Sequence, residues 1–180
     1  MSNKSQLRDI IAEKSLLRDQ SFKLSSGKAS NYFFNMKKTM LHPQGANQIA
    51  DAVLDILDTL EADSVGGMAV GGVPLVAAIA VKSHNRNKSY PTFFVRKDVK
   101  DHGVQTKIDG HCEPNTRVVL VEDVTTTGGS IMQAVDAVRD IGCTVTDVIT
   151  VVDRLEGARD NLRDQGIQLH AILTKDDFSN

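Results

Sequence analysis

The sequence predicts an α/β fold with a central parallel sheet flanked by helices. Segments with strand and helix patterns alternate from residue 62 onward, which is the order expected of parallel strands joined by crossover helices. The runs 118–121 and 148–152 are continuously apolar or β-branched, as expected of strands that helices cover on both faces. We therefore expect these two strands at the centre of the sheet.

The elements follow one another in a regular order. Apolar residues recur at helical spacing over 7–17, and the polar segment 25–31 with the aromatic run 32–34 predicts a short hairpin. A second amphipathic helix is expected to begin after Pro43 and to end near Glu61. The segment 97–115 is too polar to pack in a core. The remaining patterns predict strands at 65–70, 92–95, 117–121, 146–152 and 168–172, and helices at 73–82, 129–141 and 156–165.

Length and composition exclude several classes of protein. The chain has 180 residues, which suits one domain, and its 41% hydrophobic and 24% charged residues argue against disordered and fibrous proteins. A net charge of -2 gives no support for a nucleic-acid partner. No apolar run has the length of a signal peptide or a membrane span, and the two cysteines lack a CxxC spacing. We expect a cytoplasmic protein with unpaired thiols and no membrane partner.

The most informative segment joins the strand 117–121 to the next helix. Gly128 and Gly129 let the backbone approach a ligand closely, and a helix N-terminus adds positive partial charge. The lysine of a GxxxxGK[ST] loop is missing, so the loop suits a monophosphate better than a nucleoside triphosphate. The carboxylates of Glu122 and Asp123 suit the hydroxyls of a sugar; the alternative is an acidic pair that caps the following helix. The residues predicted to hold a phosphorylated ribose are Glu122, Asp123, Val124, Thr125, Thr126, Thr127, Gly128, Gly129 and Ser130.

This segment resembles the phosphoribosyl-diphosphate (PRPP) motif of the type I phosphoribosyltransferases, with its apolar strand, two acidic residues and Thr- and Gly-rich loop. Two other segments resemble the orotate phosphoribosyltransferase family. Residues 96–103, RKDVKDHG, match its mobile catalytic loop RKxxKxHG, and residues 22–35 share its pattern SGxxSxYFFN, with Ser25 and Lys28 differing from the enterobacterial form. The resemblance covers nearly the whole chain. It implies one domain over 1–180, with an N-terminal hood at 1–42, a core at 62–172 and a flexible loop at 96–115.

The resemblance also implies an activity. A glycosyltransferase of this family moves ribose 5-phosphate from PRPP to orotate, which gives orotidine 5'-monophosphate (OMP) and diphosphate in the synthesis of UMP. It implies Mg²⁺ brought by the substrate, with no metal site made by protein side chains, and a homodimer in which Lys97 acts in the neighbouring subunit's site. The implied catalytic and diphosphate-binding residues are Arg96, Lys97, Lys100 and His102.

Orotate binding is implied for a further set of residues. Arg154, in the pair Asp153-Arg154, would hold the orotate carboxylate, because a guanidinium fork binds a planar carboxylate in two places. Thr126 would lie nearby, and Phe33 and Phe34 would flank the base. Residues 69–74 resemble the family's diphosphate-binding turn. Val70 stands where some members have a lysine, so we expect this turn to contact the diphosphate through its backbone. Without the resemblance, three ordinary interpretations would apply. Residues 96–103 would be a solvated charged loop, Phe33 and Phe34 would be core aromatics, and Arg154 would lie at the surface.

Two alternative functions stay open. The chain could be a phosphoribosyltransferase for a purine or uracil, although these bases have no carboxylate for Arg154. It could also be a PRPP-sensing regulator that binds RNA. The intact RKDVKDHG segment and the lack of net positive charge argue against that regulator.

Overall fold

The computed structural model describes residues 4–23, 29–97 and 107–179. The helices are α1 (Lys4–Lys14), α2 (Lys37–Met40), α3 (Pro43–Leu57), α4 (Gly72–Asn85), α5 (Gly129–Arg139) and α6 (Ala158–Arg163). The strands are β1 (Leu16–Lys23), β2 (Ala29–Phe34), β3 (Ser64–Met68), β4 (Thr92–Val95), β5 (Ile108–Gly110), β6 (Arg117–Thr125), β7 (Thr144–Asp153) and β8 (Gln168–Thr174), and a 3₁₀ turn at Lys175–Phe178 follows β8.

A six-stranded sheet in the order β5-β4-β3-β6-β7-β8 forms the centre of the fold. All neighbouring pairs are parallel except β4 and β5, which run antiparallel. Strands β6 and β7 lie inside this sheet, as their continuous apolar runs predict. The predicted α/β class, with a central parallel sheet between helices, is confirmed.

Helices cover both faces of the sheet, and successive residues of β6 point to opposite faces. Val119 and Val121 pack with the buried residues of α1, α3 and α4, whereas Val118 and Leu120 pack with those of α5 and α6. This explains why β6 has no alternation of apolar and polar residues. The two layers hold the carboxyl ends of β3, β6 and β7 in fixed positions along one edge.

The N-terminal strands β1 and β2 form a separate antiparallel hairpin. Phe34 at the end of β2 packs edge-on against Phe178, with ring centroids 5.0 Å apart. The hydroxyl of Ser15, which lies between α1 and β1, shares a buried hydrogen bond of 2.6 Å with the hydroxyl of Thr39 in α2. A hairpin is thus present as predicted, although it begins at Leu16 rather than within 25–34. Its second strand packs on the 3₁₀ turn that follows β8.

Most predicted boundaries shift by a few residues in the structure, and four differences affect the core or the site. The first helix ends at Lys14 rather than continuing to residue 17, because Leu16 and Leu17 pair with β2. The second ends at Leu57 rather than near Glu61. Strand β6 continues to Thr125, so the acidic pair lies within the strand. The polar segment 97–115 contains β5, whose backbone bonds to β4 do not require apolar side chains.

The two cysteines lie close together in space. Both are free thiols, and their Sγ atoms are 3.9 Å apart. Burial and the neighbouring Cys143 raise the pKa of Cys112 to about 12. The Cys112 thiol is therefore neutral at physiological pH and a weak nucleophile.

Gly66 provides the space for the ring of Phe93. A methyl group at Gly66 would lie 2.1 Å from Cζ of Phe93, and this ring is 1% exposed. Gly66→Ala is expected to destabilise the fold by about 3 kcal/mol, because an overpacked core forces neighbouring groups to shift. The measurement is thermal unfolding, with Gly129→Ala as control, whose methyl would meet only Thr127 Oγ1 at 3.8 Å. A Gly66→Ala protein as stable as the control would contradict this packing.

Candidate active site

A cleft of about 630 Å³ lies at the carboxyl ends of β3, β6 and β7. In open parallel sheets this edge is the usual position of a ligand, because the loops that follow the strands meet there. The lining residues are Phe33, Phe34, Asn35, Met36, Lys37, Met68, Ala69, Val70, Gly71, Lys97, Glu122, Asp123, Val124, Thr125, Thr126, Thr127, Gly128, Gly129, Ser130, Gln133 and Arg154.

The loop between β6 and α5 has the geometry of an anion site. The carbonyl of Thr126 accepts a hydrogen bond from the Ala158 amide at 3.1 Å, and that of Thr127 accepts one from Nδ2 of Asn161 at 2.8 Å. In a trans peptide the N–H points opposite to the C=O, so the amides that follow these carbonyls point away from α6. Gly128 takes φ +84°, which glycine adopts without strain, and caps the N-terminus of α5. The first amides of α5, which have no acceptor within the helix, therefore lie at the cleft.

Glu122 and Asp123 form the acidic part of the cleft. Glu122 is 7% exposed, and its Oε2 has no hydrogen-bond partner within the described residues. Burial, together with the charge of Asp123, raises the pKa of Glu122 to about 8. Burial also raises the pKa of Asp123, although its Oδ1 accepts a hydrogen bond from the Val124 amide at 2.9 Å. The pair therefore holds a proton readily when no ligand is bound.

Two lysines face this acidic pair from other parts of the chain. The charge of Lys97 opposes the rise in the pKa of Glu122. The charge of Lys37 likewise opposes the rise in the pKa of Asp123. Lys97 was predicted and lies in the cleft of its own chain. Lys37 was missed. Its only sequence signal is the pair Lys37-Lys38, which follows the aromatic run 32–34 after two intervening residues.

The turn between β3 and α4 forms the opposite border of the cleft. A methyl group on Gly72 would lie 2.7 Å from the carbonyl carbon of Gly67, so helix and strand approach closely only because both residues are glycine. A methyl group on Gly71 would lie 3.0 Å from Oδ1 of Asp123. The peptide between Ala69 and Val70 is cis. The backbone of this turn thus lies beside the acidic pair.

Arg154 follows β7 and is buried, with 3% of its surface exposed. Its Nε donates to Oε1 of Glu156 at 2.9 Å, and its Nη2 donates to Oγ of Ser30 at 3.0 Å. Its Cζ lies 4.2 Å from the centroid of the Tyr32 ring. The surface-arginine interpretation is therefore wrong, and the guanidinium lies at the wall of the cleft.

The two predicted aromatic residues have different surroundings. Phe34 is 5% exposed and packs with Tyr32 and Phe178. Phe33 is 36% exposed and stacks on Phe22 with ring centroids 5.6 Å apart. Because neighbouring residues of a strand point in opposite directions, Phe34 is mainly a core residue and Phe33 offers the more accessible ring.

Other predicted residues lie outside this arrangement. Arg96 is bound to the carboxylate of Asp109, and it is absent from the described lining of the cleft. Lys100, His102, Ser25 and Lys28 lie outside the described residues. The described residues contain no group of three or more His, Cys, Asp or Glu side chains that could hold a metal ion. No described helix has the length and apolar character needed to cross a membrane.

The fold and the site together define a class of protein. A model of the family described as "Phosphoribosyl transferase domain" matches residues 38–165, which include the carboxylate pair, the loop after β6 and Arg154. Since this match covers more than half of the chain, the chain belongs to the phosphoribosyltransferase family.

The individual relatives carry a more particular name. The chain is 39% identical to an orotate phosphoribosyltransferase of Rhodopseudomonas palustris over 99% of this chain and 97% of the relative. It is 40% identical to an orotate phosphoribosyltransferase of Bradyrhizobium diazoefficiens over 98% and 96%. The crystal structure of Mycobacterium tuberculosis orotate phosphoribosyltransferase in complex with PRPP is similar, with TM-score 0.81, 30% identity and 97% of each chain covered.

Proposed function

We propose that this protein is an orotate phosphoribosyltransferase, which transfers ribose 5-phosphate from PRPP to orotate in the synthesis of UMP. The observation that carries the proposal is that an anion-binding loop, a carboxylate pair and a buried guanidinium line one cleft. The first two suit the phosphate and hydroxyls of a ribose, and the third suits a carboxylate on the base. The names of the full-length relatives support this choice of base.

Each part of PRPP has a corresponding group. The loop amides and the hydroxyls of Thr125, Thr126, Thr127 and Ser130 hold the 5-phosphate, with Val124, Gly128 and Gly129 shaping the loop. Glu122 and Asp123 accept hydrogen bonds from the ribose hydroxyls. The diphosphate is held by the turn at 69–72 and by Lys97, Lys100 and His102. Arg96 joins them by exchanging its bond to Asp109 for one to the ligand.

Orotate occupies the remaining part of the cleft. Arg154 binds its carboxylate, Thr126 lies beside it, and the base lies against Phe33, with Phe34 supporting the wall. Ionised Glu122 and Asp123 stabilise the positive charge that develops on the ribose ring as the bond to diphosphate breaks. This charge is largest in the transition state, so the pair accelerates the reaction rather than only binding the substrate.

Mg²⁺ fits this site as a companion of the substrate. The carboxylate oxygens of Glu122 and Asp123 are of the type that Mg²⁺ prefers, and Oε2 of Glu122 lacks a partner within the described residues. When bound with the substrate, the ion would neutralise charge on the diphosphate, and Glu122 and Asp123 would be the carboxylates nearest to it. The acidic pair holds the ribose hydroxyls in place.

The proposed function also includes a dimeric assembly and a cellular location. The enzyme acts in the cytoplasm as a homodimer, in which Lys97 reaches the diphosphate of the neighbouring subunit's site. Within one chain Lys97 lines the cleft near Glu122, so action in the neighbouring site requires Lys97 to leave this position when two subunits associate. A subunit-mixing experiment tests it: inactive Lys97→Ala and inactive Glu122→Ala chains should regain partial activity when combined.

The direct test is the loss of orotate absorbance when the purified protein is mixed with PRPP and Mg²⁺. Parallel reactions contain uracil, adenine or hypoxanthine in place of orotate. Consumption of orotate alone is the expected result. Turnover of another base would replace the proposed substrate, and no turnover together with RNA binding at physiological salt would favour a regulator.

Lys100→Ala is expected to lower kcat by about a hundredfold while changing the dissociation constant of OMP less than threefold. The reason is that Lys100 serves the departing diphosphate, which OMP lacks. Turnover kinetics and OMP binding are measured on the same preparation, with Lys88→Ala as control, because Lys88 pairs with Asp58 away from the cleft. Equal losses in turnover and OMP affinity would contradict the assigned role.

A further inference from the structure

We propose that Glu156 is a positioning residue that fixes the guanidinium of Arg154 for a carboxylate on the base. This inference rests on the proposed function and adds a residue that acts through Arg154. Glu156 is absent from the described lining of the cleft, so its effect on a ligand is indirect.

Three contacts restrict the guanidinium. Glu156 Oε1 accepts from Nε at 2.9 Å, Ser30 Oγ accepts from Nη2 at 3.0 Å, and the ring of Tyr32 lies 4.2 Å from Cζ. The ring fixes the plane of the group by a cation–π contact. Glu156 takes the Nε hydrogen and Ser30 takes one hydrogen of Nη2, so Nη1 and the other hydrogen of Nη2 remain for a ligand. Within the described part of the chain Nη1 donates to no protein acceptor.

The backbone brings Glu156 back toward Arg154. Leu155 adopts φ +57°, a left-handed conformation that is unfavourable for a residue with a side chain. The amide of Leu155 donates to Oδ1 of Asp153 at 2.9 Å, and Gly157 follows with φ +101°. This tight turn places the carboxylate two residues after Arg154 against the same guanidinium. A strained residue held beside a binding site is consistent with a functional requirement for that geometry.

The charges explain why an acidic residue takes this position. Arg154 is almost completely buried, and a buried cation without a partner is strongly unfavourable. Glu156 supplies one negative charge, and its Oε2 is buried without a hydrogen-bond partner among the described residues. The pair is thus nearly neutral as a unit. Nη1, together with the Nη2 hydrogen that does not bond to Ser30, can still donate to a second carboxylate.

The experiment compares the binding of OMP and UMP, which differ only in the carboxylate on the base. Titration calorimetry of wild type, Glu156→Ala and Glu156→Gln gives the ratio of the two dissociation constants for each protein. In Glu156→Ala we expect OMP to bind at least about tenfold more weakly and UMP to bind within twofold of wild type. Glu156→Gln keeps an acceptor for Nε, so its ratio is expected within threefold of wild type.

The outcomes separate the inference from the proposed function. If wild type binds OMP no more tightly than UMP, the role of Arg154 in the proposed function fails. If wild type prefers OMP and Glu156→Ala keeps that preference, Glu156 does not position Arg154. Equal loss in the Ala and Gln variants would also overturn positioning, because charge alone would then be responsible. Thermal unfolding of each variant identifies a folding defect, which would weaken OMP and UMP alike.

Discussion

Glu122→Gln is expected to make the ligand-free protein more stable at pH 9 than wild type while lowering kcat about a hundredfold. The stability gain arises because an amide needs no ionisation in the buried position. The loss of rate arises because the amide has no negative charge to stabilise the ribose ring in the transition state. One substitution is thus expected to separate folding from catalysis, as happens where a site holds an unfavourable charge for its function.

The pH dependence follows from the pKa of Glu122. Its ordinary pKa of 4.5 rises to about 8 in the folded chain. Between these values the unfolded chain has released the proton and the folded chain retains it, so stability falls as pH rises from about 4.5 to 8. The difference corresponds to at most about 5 kcal/mol, since one pKa unit equals about 1.4 kcal/mol.

Thermal unfolding between pH 4 and pH 9 checks this prediction. Wild type should lose stability across the window relative to Glu122→Gln, and the two proteins should converge near pH 4. Glu13→Gln serves as the matched control, because the Glu13 side chain is solvent-exposed on α1. Parallel curves for wild type and Glu122→Gln would show that Glu122 is ionised in the ligand-free fold.

Arg154→Lys is expected to lower kcat/KM for orotate by about a hundredfold, although the positive charge is retained. Lysine has no planar pair of donors for a carboxylate, and its ammonium cannot keep the contacts to Glu156, Ser30 and Tyr32 at the same time. The KM for PRPP should change little, because the ribose and phosphate groups are bound by the loop after β6.

Steady-state kinetics with each substrate varied in turn provides the measurement. Arg159→Lys is the control, since Arg159 donates to the carbonyl of Leu169 at 3.1 Å and lies outside the described lining of the cleft. Unchanged orotate kinetics in Arg154→Lys would remove Arg154 from the base-binding role. A comparable rise in the KM for PRPP would indicate that the whole cleft is disturbed.

The parts of the site that are continuous in sequence could be predicted from the sequence. The strand, the acidic pair and the glycine loop fall within residues 117–130, and local rules of helix ends and glycine conformation apply to such a segment. The alternation of strands and helices likewise predicted the parallel sheet. The continuous apolar runs predicted its central strands, because helices cover both faces of those strands. The choice of orotate and the role of Arg154 depended on resemblance to a family.

The remaining features depend on residues that are distant in the chain. Leu16 and Leu17 leave the helical pattern because they pair with β2, and β5 forms although its sequence is polar because β4 offers an edge. The placement of Lys37 beside Asp123, and of Ser30 and Tyr32 around Arg154, has no counterpart in local periodicity.

The sequence by itself therefore determined the class of fold and the phosphate loop, since backbone conformation and apolar periodicity are local properties. Only the tertiary structure decided the raised pKa of Glu122 and the orientation of the Arg154 guanidinium. Burial and charge neighbours come from elements that are far apart along the chain and meet at one edge of the sheet.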